Sequence, residues 1–398
     1  MKFALASFGS RGDVEPFAAL ARELQHRGHD VQLAVRPKML GLVESAGLTA
    51  MVCGPDSPQP VDPAAALARH VRNPISLLGE LTEHVTAVLA DSGRLLTTLA
   101  DDADLLLTGT AEEGLAAIVA QHYDIPLATM HFFPGLVREP GWLFQRVVQE
   151  AEDALRRALS PPEAAPGRPV RASLEIQAYE HSCFPHLAAE WSAHTPRRPF
   201  VGALTLELPT DADGDVLSWI AAGKPPIYFG FGSSVRVATA ADTVATISAA
   251  CADLDERALI CSGSSDFVDI PQFDHVKVVD AVNHRAILPA CRAMVHHGGA
   301  GTTAAGMRAG LPTLILWLWL DQPIWAGVVE DLKVGVSHDL SHTNAESLAA
   351  NLRTILTPHY VTRAREVATW MTTPADSVAR AADLLEEAAR SRNKRSAT

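Results

Sequence analysis

The chain has 398 residues, 47% apolar and 20% charged, and its 33 Lys and Arg against 46 Asp and Glu give a formal charge of −13. That length exceeds one comfortable core and predicts two domains, while the acidic balance without a long basic run excludes nucleic acid as the main partner. Five scattered cysteines without CxxC spacing read as buried, reduced thiols of a cytoplasmic protein, not as disulfides or zinc ligands.

Taken in chain order, Phe3–Ser7 is a short apolar run of the kind that forms a buried parallel strand. It reads as a first strand, not a leader, because the glycine-bearing loop Phe8–Asp13 follows at once with no cleavage site. Pro16 marks the expected start of a helix with Phe17, Leu20, Ala21 and Leu24 on one face, ended by Gly28. Strands follow at Val31–Val35, Leu105–Thr108 and Leu127–Met130, with a helix over Ala111–Gln121. The stretch from Phe132 to Pro169 is weakly patterned, and with residues 55–75 it is where small-molecule contacts are expected. Leu208–Asp215, with Pro209 and Gly214, is a linker candidate. A second series then sets strands at Ile227–Phe231, Ala258–Cys261, Val276–Val279, Ala293–His296 and Thr313–Leu318. Helices should begin near Ala240, Ala286, Thr302, Trp325 and Ala345, with a last one over Ser377–Ala389. The fold class is therefore α/β: two doubly wound Rossmann-like domains in tandem. The most apolar window, Leu311–Val329, holds Pro312, Asp321, Gln322 and Pro323 and does not suit a membrane span.

Between strand and helix, Val295–Thr303 packs two histidines, three glycines and two threonines. Glycines allow close backbone approach, and the helix entrance supplies free N–H groups and a positive dipole end. His297, Thr302 and Thr303 add side-chain donors, so the turn is suited to an anion such as a diphosphate; a ligand-free αβ turn is the structural alternative. Two other glycine-rich loops, Gly9–Asp13 and Gly230–Ser234, sit at strand ends of the same kind, and none of the three matches GxGxxG or a Walker loop. Asp102–Asp104 spells DxD but precedes its strand, so it reads as a solvated loop at the end away from a parallel-sheet site.

These motifs, Gly9–Asp13 with Glu15-Pro16, Phe229–Ser233, His296–Thr303 and Trp319–Pro323, together resemble the family 1 glycosyltransferases of GT-B fold. The resemblance spans nearly the whole chain and is nearest to actinobacterial glycopeptide-antibiotic and mycobacterial glycopeptidolipid enzymes. It implies an N-terminal acceptor domain over 1–207, a linker over 208–222, a nucleotide-sugar domain over 223–375 and a helix and tail over 376–398, the two domains facing a central cleft.

The same resemblance distributes roles. His297, Gly299, Gly301, Thr302 and Thr303, with Gly232 and Ser233 from the other loop, should cradle the donor diphosphate. Ser10, Arg11 and Gly12 are grouped with that cradle, Arg11 as a charge partner or as an acceptor-orienting group. Val282, through its backbone, and Asn283 should meet the nucleobase, and Asp321 and Gln322 the donor sugar. Asp13 stands where a base is needed to take the acceptor hydroxyl proton; its structural alternative is an N-cap of the helix entering at Glu15-Pro16. No metal and no cofactor are expected, the donor being a dTDP- or UDP-sugar. The acceptor should be a hydrophobic small molecule or lipopeptide, which would bring peripheral membrane contact with it. Rival readings are a sugar-nucleotide epimerase or hydrolase of the same fold, or a non-catalytic partner of another transferase.

Overall fold

The computed structural model describes the backbone of residues 1–53, 74–135, 142–159, 172–192, 198–232, 240–263, 271–318 and 321–395. The chain folds as two compact units. One comprises Met1–Gln177, Thr195–Pro199 and Val378–Thr398, the other Ala178–His194 and Phe200–Ser377.

Unit 1 is built from β1 (Lys2–Ser7), α1 (Arg11–His26), β2 (Asp30–Val35), α2 (Leu40–Ser45), β3 (Ala50–Val52), α3 (Pro74–Ala100), β4 (Leu105–Gly109), α4 (Glu113–His122), β5 (Leu127–His131), α5 (Trp142–Leu159) and β6 (Leu174–Gln177). All six strands are parallel, in the order β3-β2-β1-β4-β5-β6, with Ala6 opposite Ala34 and Thr108. The central strands are buried along their length because helices cover both sheet faces, which is why they read as unbroken apolar runs. Ala4, Ala6, Phe8, Leu96, Leu99, Leu106 and Val119 form one core cluster.

Unit 2 contains α6 (Pro185–Ser192), α7 (Asp213–Ala221), β7 (Ile227–Gly230), α8 (Ala240–Asp253), β8 (Ala258–Cys261), β9 (Val276–Val279), the single turn α9 (His284–Ile287), β10 (Ala293–His296), α10 (Ala300–Arg308), β11 (Thr313–Trp317), α11 (Gln322–Asp331), β12 (Gly335–Asp339), α12 (Ala345–Ile355) and α13 (Pro358–Ala368). Its parallel sheet runs β12-β11-β10-β7-β8-β9, the connectivity of unit 1 repeated. In both sheets the winding reverses between the first and fourth strands. The loops that follow those two strands therefore flank the crevice where such sheets bind ligands.

The final helix α14 (Pro374–Arg395) crosses from one unit to the other in sequence, and its part from Val378 belongs to unit 1. The stretch expected as a linker, 208–222, lies inside unit 2: Val216 and Ile220 of α7 are buried with Tyr228, Leu259 and Ile287. The chain passes between units around Gln177, Pro199 and Ser377 instead. Leu208–Asp215 had looked like a linker because its polar residues bond to one another and to unit 2 rather than to an apolar core.

Helix α1 begins at Arg11, five residues before the expected start, and encloses Pro16. Ser10 is its N-cap, and Ser10 and Asp13 form a capping box that organises the first turn. Asp13 is thus at the third helical position and is not the N-cap. All five cysteines are free and buried, and no described helix is long and apolar enough to cross a membrane.

Candidate active site

In unit 2 one imidazole stands between the loops that follow β7 and β10. The His297 ring lies between two loops: a Cβ placed on Gly232 would sit 2.7 Å from its Cε1, and one on Gly299 2.6 Å from its Nε2. The ring Nδ1 is 3.5 Å from the Gly230 carbonyl, a long contact to the end of β7. Burial pushes the ring below its ordinary value against a smaller upward pull from that carbonyl, so it is neutral at pH 7. Its neighbour His296 is 0% exposed and accepts a 3.0 Å bond from the Gly298 N–H at Nδ1, which places its proton on Nε2.

Gly298 adopts φ +92°, and a Cβ there would meet Ile315 Cγ2 at 2.9 Å, so the turn needs glycine at this position. Helix α10 starts at Ala300, two residues earlier than expected, because Gly299 takes the N-cap position. The first backbone bond of the helix is Thr303 N–H to Gly299 O at 2.9 Å, leaving the N–H groups of Ala300, Gly301 and Thr302 without intrahelical partners. Nothing lies within 4 Å of a Cβ position on Gly301, so this entrance is open. Thr302 is half-buried at the same turn. Three N–H groups, a helix dipole and a ring held by two loops form a ready site for an anion.

Thr303 does not line this entrance as a donor. It is 1% exposed and its hydroxyl donates back to Gly299 O at 2.9 Å, bracing the turn from behind. Gln322 likewise is buried, and its Oε1 accepts the Leu318 N–H at 2.8 Å. It packs on the anion turn, with its Cβ 3.2 Å from a Cβ position on Gly298. Asp321, half-buried beside it, is the N-cap residue of α11, its carbonyl accepting from Ile324 and Trp325. Val282 is buried at the carboxyl end of β9, and Asn283 caps α9: its Oδ1 accepts the Arg285 N–H at 3.0 Å and its Nδ2 donates to Glu207 O at 3.3 Å. The Asn283 side chain is thereby spent on its own loop and on the Glu207 segment. Ser233, Trp319 and Leu320 lie outside the described residues, as do most of 55–75 and parts of 132–169.

In unit 1 the corresponding crevice lies between β1 and β4. Asp13 is half-buried there; its Oδ2 accepts from the Ser10 N–H at 2.7 Å and the Ser10 hydroxyl at 2.9 Å. A Cβ on Gly9 would fall 2.2 Å from that oxygen, so only glycine lets the carboxylate fold over the loop. Arg11 is turned to Glu15 at 2.9 Å across one helical turn, and Gly12 is exposed. Arg36 donates to the Phe8 carbonyl at 2.8 Å and fixes the same loop from β2.

Shortly after β4 stands Glu112, a carboxyl that sequence reasoning did not single out. Burial, reinforced by the negative charge of Asp13 and offset by Arg36, pushes it up to about 7. Its signal in the sequence is modest: an acidic residue three positions beyond the fourth strand, where a doubly wound sheet turns its ligand crevice.

Comparison with known proteins decides what this pair of crevices belongs to. Residues 244–384 match the family described as erythromycin biosynthesis protein CIII-like, C-terminal domain, and residues 3–55 the glycosyltransferase family 28 N-terminal domain. An uncharacterised glycosyltransferase of Mycobacterium tuberculosis strain H37Rv is 55% identical, over 98% of this chain and 99% of its own. This chain is a family 1 glycosyltransferase of GT-B fold. The vancomycin aglycone glucosyltransferase of Amycolatopsis orientalis is 30% identical to the enzyme, with 98% of each chain covered. Among solved structures, a spinosyn rhamnosyltransferase complexed with thymidine diphosphate shares its fold at a TM-score of 0.68 and 18% identity, over 96% of this chain and 100% of that one. The glycosyltransferase is thus an enzyme that transfers sugar, and the epimerase, hydrolase and non-catalytic readings fall away.

Proposed function

We propose that the enzyme moves a hexose or deoxyhexose from a dTDP- or UDP-sugar to a hydroxyl of a hydrophobic natural product, with glycopeptidolipid-like molecules the leading class, inverting the anomeric centre without a metal ion. The observation that carries the proposal is the His297 ring wedged between Gly232 and Gly299 beside the open entrance of α10. In this reading the donor diphosphate lies on the N–H groups of Ala300, Gly301 and Thr302, with Asp321 near the sugar. The thymidine diphosphate bound by the spinosyn rhamnosyltransferase supports a nucleoside diphosphate there. The natural-product acceptor follows from the vancomycin aglycone enzyme and the erythromycin-type domain.

The chemistry is a single displacement. The acceptor oxygen bonds to the anomeric carbon as the carbon–oxygen bond to the diphosphate breaks, and the electron pair leaves on the diphosphate. The acceptor proton passes to Asp13. The growing negative charge on the leaving group falls where the helix dipole, the N–H groups and a protonated His297 stabilise it, which is the work a bound metal does in other sites. An enzyme nucleophile is not required, and a one-step displacement gives inversion.

The test is transfer from dTDP-rhamnose and UDP-glucose to a panel of hydrophobic hydroxylated acceptors in excess EDTA, with the product's anomeric configuration read by NMR. Inverted product in EDTA is expected. A retained configuration, or activity that returns only with a divalent ion, overturns the mechanism.

A further inference from the structure

The loop that follows β9 is held by a carboxylate 70 residues earlier in the chain. Asp213, the first residue of α7, accepts the Asn283 backbone N–H at Oδ1, 2.9 Å away. The same carboxylate accepts the Thr210 N–H at Oδ2, 2.8 Å, and the Thr210 hydroxyl at Oδ1, 2.8 Å. Two further bonds tie the same segments together. Asn283 Nδ2 donates to Glu207 O, and the Arg285 guanidinium meets the Glu207 carboxylate at 2.7 Å. Glu207 takes a left-handed conformation, φ +51°, to reach them. Burial works against the Asp213 charge, yet the Thr210 and Asn283 N–H groups and the Thr210 hydroxyl outweigh it and hold the carboxyl below its ordinary value.

The Asn283 N–H belongs to the same planar peptide as the Val282 carbonyl. In a trans peptide these two groups point in opposite directions, so fixing one aims the other. A charged acceptor on the N–H also polarises the peptide and makes its carbonyl a stronger acceptor. We infer that Asp213 is a positioning residue for donor selection: through the Asn283 N–H it aims and strengthens the Val282 carbonyl as the acceptor for the imide N–H of a pyrimidine base. The inference rests on the proposed nucleobase contact at Val282. It places the choice of a thymine- or uracil-type base on a residue that never touches the base.

The experiment is calorimetric titration of the full chain with thymidine diphosphate and with inorganic pyrophosphate, which shares the phosphate contacts and lacks the base. Wild type, Asp213→Ala and Asp213→Asn are compared, with kcat and the donor KM measured alongside. Asp213→Ala should weaken thymidine diphosphate about tenfold and raise the donor KM in step. Pyrophosphate affinity and kcat at saturating donor should be unchanged. Asp213→Asn keeps the shape and loses the charge; it should show the same selective loss at smaller size, and it is the variant read if Asp213→Ala does not fold. Equal weakening of both ligands, or thymidine diphosphate affinity unchanged in either variant, overturns the role of Asp213. If wild type binds thymidine diphosphate no more tightly than pyrophosphate, the nucleobase reading itself is overturned.

Discussion

His297 and Gly232 are in such close register that a single methyl group at 232 would come within 2.7 Å of the imidazole Cε1. The loop after β7 and the turn after β10 are therefore locked together through one ring. Gly232 also sits at φ +66°, where an L side chain is strained. Gly232→Ala should displace the ring and raise the donor KM about tenfold, with acceptor KM unchanged. Steady-state kinetics varying each substrate separately check this.

The neutral state of His297 makes donor binding a proton-linked event. A diphosphate beside the ring favours imidazolium, so binding takes up a proton. Because burial holds the free ring below its ordinary value, affinity for a nucleotide sugar should rise as pH falls from 8 towards 6. A nucleotide sugar is the right probe, since its diphosphate diester does not titrate in this range. Calorimetry in buffers of different ionisation enthalpy should show net proton uptake in wild type and none in His297→Gln.

Glu112 gives the enzyme a second titration near neutrality. Below about pH 7 its carboxyl is protonated; above, it adds a negative charge to the crevice. The second charge stabilises the proton arriving on Asp13 in the transition state, so kcat should rise with pH through about 7. Glu112→Gln should flatten that limb while leaving donor affinity unchanged. The same raised carboxyl makes folding less favourable as pH rises from the unfolded carboxylate range to about 7, and Glu112→Gln should remove that slope in thermal melts.

The interior strands were legible in the sequence because strands covered on both faces are apolar throughout: Ala258–Cys261 and Ala293–His296 occur at the expected residues, as does the half-buried edge strand Val276–Val279. The other three edge strands, β3, β6 and β12, carried no such signal. Met51 and Val52 of β3 are exposed, and β12 is only half-buried beyond Gly335, so neither shows a continuous run. The glycine-rich turn between β10 and α10 was visible from residue types alone, and a helix does begin within it. What each side chain does inside it was not. Thr303 and Gln322 are spent on backbone groups of their own loops, and Asn283 on its own loop and on Glu207, and only three-dimensional partners reveal that. The reach of Asp213 to Asn283 is equally invisible at 70 residues' separation.

Stability should also follow one charged cluster in unit 1. Glu386 of α14 meets His29 at 3.0 Å, Arg27 at 3.2 Å and Arg390 at 2.6 Å. The bond to His29, with those to Arg27 and Arg390, outweighs burial and holds the carboxyl down at about 2. A depressed carboxyl stabilises the fold above its unfolded value, and that contribution is lost as pH falls through the folded one. Glu386→Gln should lower the Tm at pH 7, by about 2–4 °C per kcal/mol lost, and the difference from wild type should close as pH approaches 2. Scanning calorimetry across pH 2–7 reads it.

The most direct test of the site is calorimetric binding of thymidine diphosphate and uridine diphosphate to wild type and His297→Ala at pH 7. Measurable binding of at least one of them to wild type is expected, with a loss of about tenfold or more in the variant. Absence of binding to wild type, or equal affinity in both proteins, would contradict the assignment of the turn at His297–Thr302 as the donor diphosphate site.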